Sequence, residues 1–277
     1  LPARISTNTM TQLTWQLQCI ALLLLCFACQ STAAPSPHQL HWQHRFTPAE
    51  QQKLSLWLKQ ASAATTELLG PYPFTMQFYL YSRPALEPVP WANTWRDSTQ
   101  QVHFYVAAGF SLEQFLQDWT AYHEISHLAL PFLGKEHAWF AEGFASFMQY
   151  QVMQRAGLIA SAKDAIAAKF GAHKSRYASS ESLRDNATRL LAQRRYAAGY
   201  WAGAQYFVVA DKLLQAQQKP ELATLIKQYQ QCCRLRDNSL TQVIISLDKL
   251  SDSKLFSELL QRFSEQEYAD FTHAYQL

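Results

Sequence analysis

His123-Glu124-Ile125-Ser126-His127 lies in a stretch that reads as helix. Residues four apart share one helix face, so both imidazoles can point at one metal ion. The glutamate beside the first histidine then falls where it can handle a metal-bound water. Working outward, Ser111 reads as the cap of the helix that carries Phe115, Trp119, Tyr122 and the motif, and Pro131 and Gly134 read as its end. A further helix is expected from Glu136 to about Arg155.

A catalytic zinc takes three protein ligands and leaves one position for water. His123 and His127 supply two. A third ligand three residues after a glycine at 130, as in a metzincin-like site, is excluded, because positions 130 and 133 are both leucine. His137, just past the turn, is a candidate. Glu142 is the better one, because a neighbouring antiparallel helix would present its carboxylate to the two imidazoles.

Trp139-Phe140-Ala141-Glu142-Gly143-Phe144-Ala145 resembles the W-x-x-E-G-x-A segment of gluzincin metallopeptidases, in particular the aminopeptidase N-like and glycyl-aminopeptidase-like groups. The resemblance implies a zincin-like fold and one zinc ion held by His123, His127 and Glu142, with Glu124 as general base. Gly199-Tyr200-Trp201-Ala202-Gly203 is similar to the Y-x-K-G segment of those families, whose tyrosine stabilises the oxyanion. Alanine replaces the lysine here, so Tyr200 is the first choice for that role and Tyr196 the second. A core aromatic on an apolar helix is the competing reading. The likeness covers roughly residues 119–211. It departs in two ways. Only 14 residues lie between His127 and Glu142, so the connecting turn must be tight. No G-x-M-E-N segment, which holds a substrate's free amine in the aminopeptidases, precedes the motif. A carboxylate behind the histidines is not evident, since Ser146 and Gln149 occupy the nearby downstream turns.

The flanks set the class. Thr47-Pro48-Ala49-Glu50 is a capping box with proline at the first helical position, and Gly70-Pro71 stops the helix that follows. Phe74 to Tyr81 alternates as a strand, Pro84, Pro88 and Pro90 mark a loop, and Gln101 to Ala107 reads as a second strand. The resemblance implies that the edge of this second strand pairs with an extended substrate. Residues 34–45 read as an irregular leader. Helices are expected over Tyr196–Gln215, Pro220–Gln230 and Lys254–Arg262, with helical pattern between Gly157 and Tyr196 broken near Gly171 and Tyr177. Few strands before many helices make the chain α+β: a small N-terminal mixed sheet, the motif helix, then a mainly helical part.

Hydrophobic residues make up 48% of the 277 residues and charged ones 16%, enough for a packed core. A net charge of +3 without a Lys/Arg run argues against nucleic acid. Cys19 to Ala28 is an apolar run too short to span a bilayer, which needs about 20 residues. It has the length of a signal-peptide core, with cleavage near Ala33 or Ala34, although Arg4 is the sole charge ahead of it and a start at Met10 would remove even that. Cys29 offers a lipid anchor as the alternative to simple cleavage. The expected organisation is a signal peptide over 1–34 and one metallopeptidase domain over 35–277, exported to the periplasm or secreted. Cys232 and Cys233 are adjacent and imply no disulfide framework.

These readings predict hydrolysis of a peptide or protein substrate by a metal-activated water. The alternative is an inactive, peptidase-like binding or assembly protein of the cell envelope.

Overall fold

The computed structural model describes residues 37–96 and 98–277. The expected signal segment, Met10 and Cys29 lie outside the described residues.

Thr47 starts the first helix, α1 (Pro48–Leu69), as the capping box requires: the Glu50 N–H donates to its hydroxyl at 3.3 Å, and its own N–H donates to the Glu50 carboxylate at 2.7 Å. Gly70 ends the helix at φ 87°, in the region that favours glycine. The buried face of α1, with Leu54, Trp57, Leu58 and Ala61, packs on a four-stranded sheet. Its strands are β1 (His38–Trp42), β2 (Met76–Ser82), β3 (Trp91–Arg96) and β4 (Gln100–Val106), in the order β1-β2-β4-β3. The first three in that order run parallel, and β3 pairs antiparallel with β4.

Period-two alternation assigns the two faces of the sheet. Met76, Phe78 and Leu80 with Val102, Phe104 and Val106 are buried beneath the helices, where Trp57 meets Phe104 at 5.2 Å. The opposite face carries a ladder of stacked rings across the strands, His41 on Tyr79 at 4.5 Å and Tyr79 on His103 at 4.7 Å.

Two strands depart from the sequence reading. β1 was expected to be irregular, because His38-Gln-Leu-His-Trp42 is polar; its place in the sheet comes from pairing with β2, which local pattern does not reveal. β3 follows the Pro84–Pro90 loop and has no hydrophobic alternation. Its pairing leaves β4 bonded on both sides, so the edge strands are β1 and β3 and not the Gln101–Ala107 strand.

The predicted single helix from Ser111 through the motif is two helices. Ser111 caps α2 (Leu112–Gln117), and α3 (Thr120–His127) carries the motif. Asp118 breaks them with an extended backbone and then accepts the Thr120 N–H at 2.8 Å, starting α3 with its carboxylate. A short 3-10 turn, Lys135–His137, leads into α4 (Ala138–Arg155). Then come α5 (Ala162–Gly171), α6 (Leu183–Ala192), α7 (Tyr196–Ala216), α8 (Leu222–Cys232), α9 (Leu240–Leu250), α10 (Leu255–Glu265) and α11 (Tyr268–Tyr275). α9 and α11 were not anticipated; each is short, and packing sustains it through Val243, Ile244 and Leu247 or through Phe271.

α4 and α7 cross in close contact at Gly143 and Gly203. A Cβ on Gly143 would collide with the Gly203 carbonyl, and one on Gly203 with the Trp139 carbonyl. Gly143, directly after Glu142, and Gly203 together let α7 approach α4. Cys232 and Cys233 are disulfide-bonded to each other, a link that closes no loop and so builds no framework. Among the described residues, no helix is long and apolar enough to cross a membrane.

Candidate metal centre

α3 is a buried helix, and its four-residue spacing turns both imidazoles to one side, with the two Nε2 atoms 3.1 Å apart. α4 brings in Glu142, whose Oε2 lies 3.2 Å from His123 Nε2 and 3.4 Å from His127 Nε2. Among the described residues these three form the metal-competent group. His137 sits at the start of α4, outside it.

The trio fits zinc. A tetrahedral ion with metal–nitrogen bonds of about 2.0–2.1 Å spaces its ligand atoms by about 3.3–3.4 Å, close to the separations found. His123 Nδ1 lies 2.9 Å from Gln149 Oε1, an amide oxygen that only accepts, so Nδ1 carries the hydrogen and Nε2 is the atom that faces Glu142. Burial opposes charging this ring, but the hydrogen bond and charge of Glu142 raise its pKa. His127 Nδ1 is buried without a partner, which disfavours charging that ring. Burial lowers the His127 pKa, with Glu142 only partly opposing. Burial acts against the Glu142 carboxylate too, but the two imidazoles hold it far below its usual range.

Gln149 lies two turns beyond Glu142 on α4 and does for His123 what a carboxylate was sought for. Replacing it with leucine removes the acceptor that fixes this ring, and zinc affinity should fall about 10–100-fold in a chelator competition. Unchanged affinity would show that the helix alone orients His123.

The end of α3 is held from four directions. Tyr72 Oη donates to Ile125 O at 2.9 Å, Arg96 Nη1 to His127 O at 2.9 Å, Arg234 Nε to Leu128 O at 2.9 Å and Gln230 Nε2 to Ala129 O at 3.0 Å. Leu128 O and Ala129 O are carbonyls that a helix terminus leaves open, Ile125 O and His127 O also accept backbone N–H groups, and the two guanidinium groups complement the negative end of the helix dipole. Burial pushes the Arg96 pKa down to about 10 while Glu142 and Glu124 oppose, so it stays charged at neutral pH.

Glu124 is 8% exposed, and its carboxylate accepts the Thr94 hydroxyl at 2.6 Å. Thr94 and Arg96 both belong to β3, so the edge strand holds α3 at its middle and at its C-terminal end. The sequence reading missed them because it assigned no element to residues 91–96. It missed Arg234 because nothing local links residue 234 to residue 128.

Tyr200 stacks on His123 with ring centroids 5.6 Å apart. Burial, then the charges of Glu142 and Glu124, raise its pKa, so the phenol keeps its proton. Tyr196 lies further out, exposed, with its ring 6.3 Å from that of Tyr200.

No known protein-family profile matches the sequence, and no curated protein matches it. Solved structures do match the fold. An M1 zinc metallopeptidase from Deinococcus radiodurans aligns with a TM-score of 0.52 at 14% identity, over 83% of this chain and 48% of that one. A mutant of the M1 zinc metallopeptidase from the same organism aligns with a TM-score of 0.52 at 13% identity, over the same shares. This chain thus spans about half the length of the proteins it matches. Its four-stranded mixed sheet, buried motif helix and helical remainder share the fold of about half of an M1 zinc metallopeptidase.

Proposed function

We propose that this protein is a zinc-dependent peptidase that cleaves peptide bonds with Glu124 as general base. The observation that carries the reading is the convergence of His123 Nε2, His127 Nε2 and Glu142 Oε2 within 3.1–3.4 Å, beside a carboxylate that is not part of the trio. Zinc, when bound there, supplies an acidified water and polarises the scissile carbonyl. Glu124, steadied by Thr94, takes the proton of the attacking water and passes it to the leaving amine. Tyr200, protonated and stacked on His123, donates a hydrogen bond to the oxyanion. The free edge of β3 offers an extended peptide backbone hydrogen bonds next to Glu124.

The apolar Cys19–Ala28 run supports export, and Cys29 a lipid anchor as the alternative to simple cleavage. A binding or assembly protein without turnover is the weaker reading. A purely structural site closes its fourth position and has no use for a base. A digest of a peptide library by the zinc-loaded protein, with and without chelator, tests the proposal. Cleavage that the chelator stops is the expected result. Bound zinc without any cleavage would favour the binding protein.

A further inference from the structure

The break between α2 and α3 leaves Trp119 in an unusual position. It occupies the cap position of α3, yet makes no side-chain capping bond, because Asp118 accepts the Thr120 N–H. Every residue from Thr120 to His127 is buried, while Trp119 is 43% exposed. Its ring stands perpendicular to that of His123 at 5.4 Å. Tyr200 packs on the same imidazole at 5.6 Å, and exposed Tyr196 extends the aromatic surface beyond Tyr200.

We propose that Trp119 forms an aromatic subsite at the metal centre, so that good substrates carry an aromatic or large apolar side chain next to the scissile bond. This rests on the peptidase reading above. A carbonyl placed at the trio puts a flanking side chain within reach of an indole whose ring centroid lies 5.4 Å from that of His123. That indole has apolar area still open to water, and covering it with another ring gains both area burial and aromatic packing. The charged groups around the trio are otherwise engaged: Glu124 with Thr94, Arg96 with the His127 carbonyl, and Glu142 with the imidazoles. A flanking side chain therefore meets rings rather than free charge. Trp119 is not needed to orient His123, because Gln149 and the helix do that.

The test uses the full zinc-loaded chain and peptides identical except for phenylalanine, alanine or glutamate beside the cleaved bond. Wild type should prefer phenylalanine over alanine by about 10–100-fold in kcat/KM, the range one apolar pocket supplies. In Trp119→Ala that ratio should collapse toward unity with the zinc stoichiometry of wild type, and Trp119→Phe should restore most of it. An unchanged ratio in Trp119→Ala, or a wild-type preference for glutamate, overturns the subsite and leaves the peptidase reading intact. Loss of zinc from Trp119→Ala overturns it also, by making the indole a support for His123. Failure of the zinc-loaded wild type to cut any peptide defeats both.

Discussion

Glu124→Gln should keep its zinc and lose peptide hydrolysis by about 10²–10⁴-fold, the range of a positioned general base. Glutamine matches glutamate in shape, and its amide oxygen can still accept the Thr94 hydroxyl now bonded to the carboxylate at 2.6 Å. What it cannot do is take a proton at neutral pH. Glu124 is not one of the three converging atoms, so metal content should be unaffected. The separation of the two readouts is the point: a variant that loses zinc with activity would report a damaged site rather than a missing base. A variant that keeps its zinc and more than about a tenth of wild-type turnover would remove Glu124 from the reaction.

Glu142→Ala should behave in the opposite way, losing both metal and activity. It deletes the anion and leaves two buried imidazoles with Nε2 atoms 3.1 Å apart. Two neutral ligands on one helix make a poor zinc site, lacking both the third bond and the compensating charge. Residues that merely orient a ligand cost 10–100-fold in affinity when removed, so losing the ligand itself should cost more than about 100-fold. Folding should survive. Glu142 is partly exposed, and the neighbouring crossing of α4 on α7 is held by Gly143 and Gly203, which the substitution leaves alone. Titration of zinc into Glu142→Ala with a competing chelator measures the loss. Wild-type affinity would shift the third-ligand role to another side chain.

What the sequence made legible follows from how local each signal is. The convergent trio His123, His127 and Glu142 is written in two short motifs on consecutive helices, and helix geometry alone turns His123 and His127 to one side. The capping box at Thr47 likewise locates a helix end to the residue, because its hydrogen bonds close within four positions. Strands β1 and β3 were not legible, since a polar five- or six-residue segment becomes a strand only by pairing with chain far away. With β3 went Thr94 and Arg96, the partners of Glu124 and of the His127 carbonyl. The interruption at Asp118 was hidden for another reason: the apolar residues on either side keep helical spacing, and only a side-chain bond to Thr120 reveals that the backbone restarts there. Gln149 was in view, but a neutral amide does not announce itself where a carboxylate is sought.

The most direct test of the central claim is a crystal structure of the zinc-loaded protein with anomalous diffraction measured across the zinc edge. One peak should appear about 2.0–2.1 Å from both His123 Nε2 and His127 Nε2 and about 2.0–2.2 Å from a Glu142 carboxylate oxygen, with a non-protein ligand in the fourth position. No peak among these three side chains, or a peak coordinated by His137 in place of Glu142, would contradict the account.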